Sequence, residues 1–121
     1  MSDKTRIAII DDDQSIRKSL FRMLGAAGFD VVAFASASEF LAAIDTERIS
    51  CAVSDLRMPG IDGLQLQKTL RARLPHLSIV FITGHGDVPA GVNAMKAGAV
   101  DFLEKPVSSG VLLEAVNRAI E

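Results

Sequence analysis

Short apolar runs alternate five times with longer amphipathic stretches along this chain of 121 residues. Every side chain in residues 7–10 is apolar, which is typical of a strand buried on both faces of a parallel sheet. Residues 14–27 then carry apolar side chains at spacings of three and four, which predicts an amphipathic helix. The other predicted strands cover residues 31–34, 51–54, 79–82 and 100–103, each followed by a predicted helix. These units predict one α/β domain over residues 1–121, a doubly wound parallel sheet with helices on both faces.

Composition excludes several other classes of protein. Hydrophobic residues make up 49% of the chain and the formal net charge is −2, whereas disordered chains combine few apolar residues with high net charge. The same charge argues against a nucleic-acid-binding surface, which needs an excess of Lys and Arg. The single cysteine, Cys51, excludes an internal disulfide framework and a multi-cysteine zinc site. No run is long enough for a transmembrane helix or a signal-peptide core, so we expect a cytoplasmic domain with no membrane partner.

Chemically active side chains follow four of the five predicted strands. They are Asp11, Asp12 and Asp13 after the first, Asp55 after the third, Thr83 after the fourth and Lys105 after the fifth. Because the carboxyl ends of parallel strands lie at one edge of a sheet, we expect these groups to converge there. Close carboxylates raise one another's pKa unless a cation joins them, and carboxylate oxygens are ligands that Mg²⁺ accepts. A lysine at the same edge supplies a point charge suited to a phosphate.

Four segments of the sequence resemble the receiver domain of two-component response regulators, and the resemblance extends over nearly the whole chain. They are Ile-Asp-Asp-Asp at 10–13, Ser-Asp-Leu-Arg-Met-Pro-Gly at 54–60, Ile-Thr-Gly-His-Gly at 82–86 and Lys-Ala-Gly-Ala-Val-Asp-Phe-Leu-Glu-Lys-Pro at 96–106. The Gly-His-Gly-Asp-Val-Pro segment is also similar to receivers of transcriptional regulators of the nitrogen-fixation or LuxR type. The resemblance implies a flavodoxin-like fold of five strands in the order 2-1-3-4-5 with five helices.

The resemblance also implies the chemistry of the site. Asp55 matches the phosphoacceptor of the family, and Lys105 matches the lysine that contacts a phosphoryl oxygen. Asp11 and Asp12 match the acid pair that holds Mg²⁺, or Mn²⁺, together with Asp55 and the backbone carbonyl of Arg57. In the family, the position of Asp12 ligates the ion directly and that of Asp11 does so through water.

Two further positions match the family's conformational switch. The Thr83 hydroxyl is expected to donate to the phosphoryl group, and Phe102 matches an aromatic that moves inward with it. Arg57 and His85 stand at two positions that tune the lifetime of the phosphoryl group in this family. For Asp13, one residue beyond the acid pair, we expect a helix cap or a solvated charge.

The expected partners follow from the same resemblance. A sensor histidine kinase would donate the phosphoryl group, and phosphorylation would promote a homodimer through helix 4, strand 5 and helix 5. Candidate residues of that face are Val92, Met95, Val107 and Val111. We expect the chain to be a signalling phosphoacceptor rather than an enzyme. DNA would be bound through a separate output domain and not by this chain.

Other interpretations remain open at this point. A stand-alone receiver could act through protein contacts or in a phosphorelay, and a receiver-like scaffold would never be phosphorylated. A phosphatase of the haloacid dehalogenase type would use Asp11 as nucleophile and Asp13 as acid, but would leave Asp55 unexplained. A flavodoxin-like flavin protein needs a Ser/Thr-rich phosphate loop after the first strand, where this chain has acids.

Overall fold

The computed structural model describes residues 5–45, 48–84 and 87–121 of the chain. Within them, one sheet contains five parallel strands: β1 (Arg6–Ile10), β2 (Asp30–Phe34), β3 (Cys51–Asp55), β4 (Ser78–Thr83) and β5 (Asp101–Glu104). Their order is β2-β1-β3-β4-β5, which confirms the expected topology. The direction of winding reverses between β1 and β3, and this is where α/β sheets bind their ligands.

In the described ranges, five helices cover the sheet: α1 (Gln14–Ala26), α2 (Ala37–Ala43), α3 (Gly63–Arg73), α4 (Val88–Lys96) and α5 (Ser109–Ala119). The predicted strands are correct to within one residue at each end. One difference bears on the site, because β3 and β4 include Asp55 and Thr83 as their last residues. Both side chains are therefore held by strand backbone rather than by a loop. Among the described residues, no helix combines the length and the apolar character needed to cross a membrane.

The sheet separates two apolar cores. Side chains from α1 and α5, such as Leu24 and Leu112, pack with Ile9 on one face. On the other face, Phe40 of α2 and Leu66 of α3 belong to a second core, together with residues of α4. All of β3 is buried, because it is a central strand covered on both sides. This burial explains the continuous apolar runs in the sequence.

Polar caps fix the first residue of the helices that leave the site. The Asp13 carboxylate accepts a hydrogen bond from the Ile16 N–H at 3.1 Å, which confirms the expected cap and starts α1 immediately after the acid pair. A reciprocal capping box between Asp62 and Gln65 starts α3. The lengths of the loops after β1 and β3 are therefore set by local hydrogen bonds. These loops carry the residues of the candidate site.

Candidate functional site

Three carboxylates meet at the carboxyl edge of the sheet. Asp11, Asp12 and Asp55 each place one oxygen within 4.8 Å of the other two. They converge because β1 and β3 are neighbours in register, with Ile10 opposite Ser54. Asp11 and Asp55 are buried whereas Asp12 is exposed. The structure thus confirms the predicted convergence of the acids from two different strands.

Lys105 lies between the two buried acids. Its Nζ atom is 3.1 Å from Asp55 Oδ2, to which it donates a hydrogen bond, and 3.2 Å from Asp11 Oδ2. The backbone N–H of Lys105 donates to the Thr83 carbonyl at 2.9 Å, which anchors the lysine at the end of β5. One ammonium group therefore bridges carboxylates from two strands at the centre of the sheet edge.

Burial and neighbouring charges both shift the pKa values of Asp11 and Lys105. Desolvation raises the pKa of Asp11, and the nearby charge of Asp55 adds to the rise, against the lowering effects of the Asp13 N–H and of Lys105. Desolvation lowers the pKa of Lys105, but the hydrogen bond to Asp55 and the charges of Asp55 and Asp11 outweigh it, so the net pKa is raised. Lys105 is therefore a permanent cation at neutral pH.

The donor set fits a small divalent cation. Asp11 Oδ1 accepts the Asp13 N–H at 2.9 Å, whereas the buried Oδ2 atom receives no hydrogen bond from the described residues and has an ion-pair contact with Lys105. Lys105 brings one positive charge to three converging carboxylates, so the cluster keeps an excess of negative charge that a further cation would offset. The Arg57 N–H donates to Asp55 Oδ1 at 3.1 Å, so the Arg57 peptide borders the pocket. Hard oxygen donors in this arrangement are suited to Mg²⁺.

The two predicted switch residues lie outside the carboxylate cluster. The buried Thr83 donates its hydroxyl hydrogen bond to Asp87 Oδ2 at 3.0 Å, with the Gly84 carbonyl at 3.3 Å. The half-buried Phe102 ring lies against the backbone of α4 at Gly91, where a Cβ atom would be 2.5 Å from the ring. Both side chains therefore contact the start of α4 or its first turns.

Sequence reasoning missed the role of Asp87. Its position directly before the fourth predicted helix favours a helix cap, but its carboxylate makes no capping bond to α4 and instead binds Arg57 and Thr83. The Arg57 guanidinium offers paired donors, which compete effectively with single backbone N–H groups for a carboxylate. The sequence contained a partial signal, since Arg57 was already identified as a tuning position. His85, the other tuning position, lies outside the described residues.

Comparison with known proteins gives a consistent result. The family model of the response regulator receiver domain matches residues 7–117. Transcriptional regulatory protein FixJ of Bradyrhizobium diazoefficiens is 48% identical over 120 residues, which are 99% of this chain and 58% of FixJ. The C4-dicarboxylate transport transcriptional regulatory protein DctD of Rhizobium meliloti is 42% identical over 121 residues, all of this chain and 26% of DctD.

Solved structures agree with the sequence matches. The crystal structure of FixJ-N superposes with a TM-score of 0.90 and 46% identity, covering 99% of this chain and 95% of that one. Full-length FixJ from B. japonicum gives a TM-score of 0.88, with 98% of this chain matched to 60% of its length. This chain thus spans little more than half of the FixJ proteins and a smaller part of DctD. The match over nearly all of its residues, together with the acid cluster, its bridging lysine and the 2-1-3-4-5 sheet, shows that the chain belongs to the response regulator receiver domain family.

Proposed function

We propose that Asp55 accepts a phosphoryl group from a sensor histidine kinase. One Asp55 carboxylate oxygen forms a bond to phosphorus, the P–N bond to the kinase phosphohistidine breaks, and the released imidazole nitrogen takes up a proton. The observation that carries this proposal is the 3.1 Å contact between Lys105 Nζ and Asp55 Oδ2 in a largely buried pocket. A cation held there stabilises the charge that spreads over the transferring oxygens.

The carboxylate cluster supports a requirement for Mg²⁺ or Mn²⁺ in the same reaction. Asp11, Asp12, Asp55 and the backbone carbonyl of Arg57 would hold the ion. Bound there, it would offset the repulsion between the acids and an incoming phosphoryl group. Support comes from the buried Asp11 Oδ2 atom, which lacks a hydrogen bond within the described part of the chain.

After transfer, the phosphoryl oxygens offer new acceptors for the surrounding donors. Lys105 would pair with one oxygen, and the Thr83 hydroxyl would leave Asp87 to donate to another. Because Phe102 packs on α4, a shift of Thr83 and α4 would change the surface formed by α4, β5 and α5. This is the route by which the chain would report its phosphorylation state.

Acetyl phosphate and MgCl₂ provide the direct test. The protein should gain the mass of one phosphoryl group, and the Asp55→Asn variant should gain none. Asp45→Asn removes a surface carboxylate far more exposed than Asp55 and should leave uptake unchanged. If Asp55→Asn is still modified while Asp11→Asn is not, the phosphatase interpretation replaces this one.

The output of the switch is inferred from the relatives. FixJ and DctD are transcriptional regulators that extend beyond the matched region. We infer that this chain is the receiver part of such a regulator, and that a DNA-binding segment lies outside these residues in the same reading frame. Codons for a helix-turn-helix after Glu121 would support this inference. A stop codon directly after Glu121 would favour a stand-alone receiver or a phosphorelay component.

An exposed apolar face supports the proposed dimer. Val92, Met95 and Val111 are each at least 39% exposed, and Val88 of α4 adds to them. Val107 differs from the expectation, since it is half-buried and packs against the core on the α1 and α5 side. Sedimentation with beryllofluoride should show self-association that is weaker in the Val92→Ser variant. An unchanged mass at high concentration would contradict the dimer.

A further inference from the structure

The carboxylate of Asp87 is held by two partners from outside its own helix. Arg57 Nε lies 3.1 and 3.2 Å from the two carboxylate oxygens, and an Arg57 terminal nitrogen lies 2.9 Å from Oδ1. The Thr83 hydroxyl donates to Oδ2 at 3.0 Å. These bonds lower the pKa of Asp87, so the group is a carboxylate at any pH near neutrality. We call Arg57, Asp87 and Thr83 the clamp.

The clamp touches the reactive aspartate through Arg57. The Arg57 backbone N–H binds Asp55 Oδ1, while its side chain binds Asp87 across the edge of the sheet. Asp55 and Thr83 end the neighbouring strands β3 and β4, in which Asp55 is paired with Ile82. The loop after β3 is therefore tied to the loop after β4 by one arginine.

The Thr83 hydroxyl has only one proton to donate. Two acceptors lie within reach of this proton, Asp87 Oδ2 at 3.0 Å and the Gly84 carbonyl at 3.3 Å, and the charged carboxylate makes the stronger type of hydrogen bond. A phosphoryl group on Asp55 would need the same proton. Asp87 and the phosphoryl group are therefore competitors for Thr83.

We propose that Asp87, positioned by Arg57, holds the Thr83 hydroxyl away from the phosphoacceptor pocket and thereby opposes the activated state. This inference rests on the proposed function of Asp55 as phosphoacceptor. The Arg57 end of the clamp is open to solvent, since the Arg57 side chain is 66% exposed, and ion pairs with an exposed partner are weak. The opposition is therefore small enough for a phosphoryl group to overcome.

The structure also offers the released carboxylate a second position. Asp87 occupies the N-cap position of α4 but makes no side-chain bond to the first turn. Pro89 has no N–H, so Ala90 provides the capping donor that an N-cap carboxylate normally uses. Rotation of Asp87 onto Ala90 would compensate for the loss of Thr83 and would stabilise the start of α4.

A double-mutant cycle on the full chain tests the clamp. The probe is beryllofluoride with excess Mg²⁺, and the readouts are the midpoint of the titration and the NMR shift of the residue-83 methyl groups. Asp87→Ala should lower the midpoint about fivefold in the Thr83 protein, at the lower end of measured couplings between linked sites. It should also move the Thr83 methyl signal before any beryllofluoride is added.

The Thr83→Val background separates the clamp from simple charge effects. Removing the negative charge of Asp87 attracts an anionic probe in either background, whereas the clamp acts only through the hydroxyl. An Asp87→Ala effect that is equal in both backgrounds overturns the proposal. Circular dichroism and thermal melting of Asp87→Ala verify that α4 remains folded.

The Asp55→Asn variant tests the phosphoacceptor function independently of the clamp. If the unmodified chain binds beryllofluoride and Asp55→Asn does not, the phosphoacceptor function stands whatever the clamp does. If neither the chain nor its variants bind the probe, the phosphoacceptor function fails and the clamp proposal fails with it.

Discussion

The edge of the sheet carries two acid–cation groups that differ in their exposure to water. In the buried group, Lys105 joins Asp11 and Asp55, whose side chains are 1% and 7% exposed. In the clamp, Arg57 is 66% exposed and Asp87 19%. Burial makes charge interactions strong and rearrangement costly, whereas solvent weakens them and permits exchange of partners. The buried group is thus suited to holding a reactive geometry, and the clamp to changing partners.

The largest effect is expected from Lys105→Met. The substitution leaves two buried carboxylates without their shared cation, and breaking a buried pair in this way costs about 3 kcal/mol of unfolding free energy. Chemical denaturation in EDTA measures it, and added Mg²⁺ should restore part of the loss. Lys68→Met, on the exposed face of α3, is the matched control and should change little. Equal stabilities of the two variants would mean that Lys105 does not stabilise the fold through Asp11 and Asp55.

The next largest effect is expected from Gly91→Ala. The added Cβ atom would lie 2.5 Å from the Phe102 ring and displace it from α4, at a cost of about 2 kcal/mol from overpacking. Gly110→Ala in α5 is the control, because its Cβ atom would meet nothing within 4 Å. The control should be neutral or slightly stabilising, since Ala favours helix. If the two variants have equal free energies of unfolding, the Phe102 ring can move away from α4 at no cost, and its contact with α4 does not restrict it.

A smaller effect of opposite sign is expected from Asp11→Asn. Replacing this acid, whose pKa is raised mainly by burial and also by Asp55, removes a desolvated charge and its repulsion with Asp55, so the metal-free protein should gain about 1 kcal/mol, or roughly 4 °C in Tm. The same variant should lose the stabilisation that Mg²⁺ gives the native chain. A decrease in the Tm of the metal-free variant would contradict the assigned desolvation and repulsion of Asp11.

The pH dependence of stability in the same variant tests whether the raised pKa of Asp11 causes this gain. The folded state holds the Asp11 proton more tightly than the unfolded chain does. The contribution of Asp11 to the free energy of unfolding therefore falls as pH rises from the ordinary pKa of an aspartate to the raised one. Asp11→Asn should remove that decline from the melting curves recorded in EDTA. A decline of equal size in both proteins would assign it to other carboxylates.

The smallest effect on stability is expected from Arg57→Met. The arginine is exposed, so the midpoint of denaturation should match that of Arg73→Met, which removes another exposed ion pair. Arg57→Met should nevertheless lower the beryllofluoride midpoint, while Arg73→Met should not. A large loss of stability in Arg57→Met would show that the clamp stabilises the fold, and would contradict a role in the exchange of hydrogen-bond partners by Thr83.

Much of the site could be predicted from the sequence because strand ends are easy to place. Asp11, Asp55 and Lys105 each follow or end an apolar run, and parallel strands bring such ends to one edge. The sequence predicted that Lys105 faces the acids, but not its contacts with both Asp11 and Asp55, since a contact near 3 Å depends on backbone placement that periodicity does not describe. The dimerisation, the metal ion and the phosphoryl transfer stay predictions.

Asp87 shows where local reasoning stops. Its place before α4 favours a helix cap, and the residues around it contain nothing that contradicts this. Its partner Arg57 is thirty residues earlier in the chain, and only the packing of β3 against β4 brings the two loops together. The Asp87 carboxylate therefore binds the distant Arg57 guanidinium through both of its oxygens and makes no bond to the first turn of α4.

The sequence by itself determined the α/β fold, the order of its elements along the chain and the set of charged groups at one edge, because hydrophobic periodicity and strand direction are properties of neighbouring residues. The tertiary structure alone decided which charges pair, which are buried and which side chain rests on α4. Those outcomes depend on distances of a few ångströms between segments far apart in sequence, such as Lys105 and Asp55. The strength of each pair then follows from its exposure to water, which only the folded chain defines.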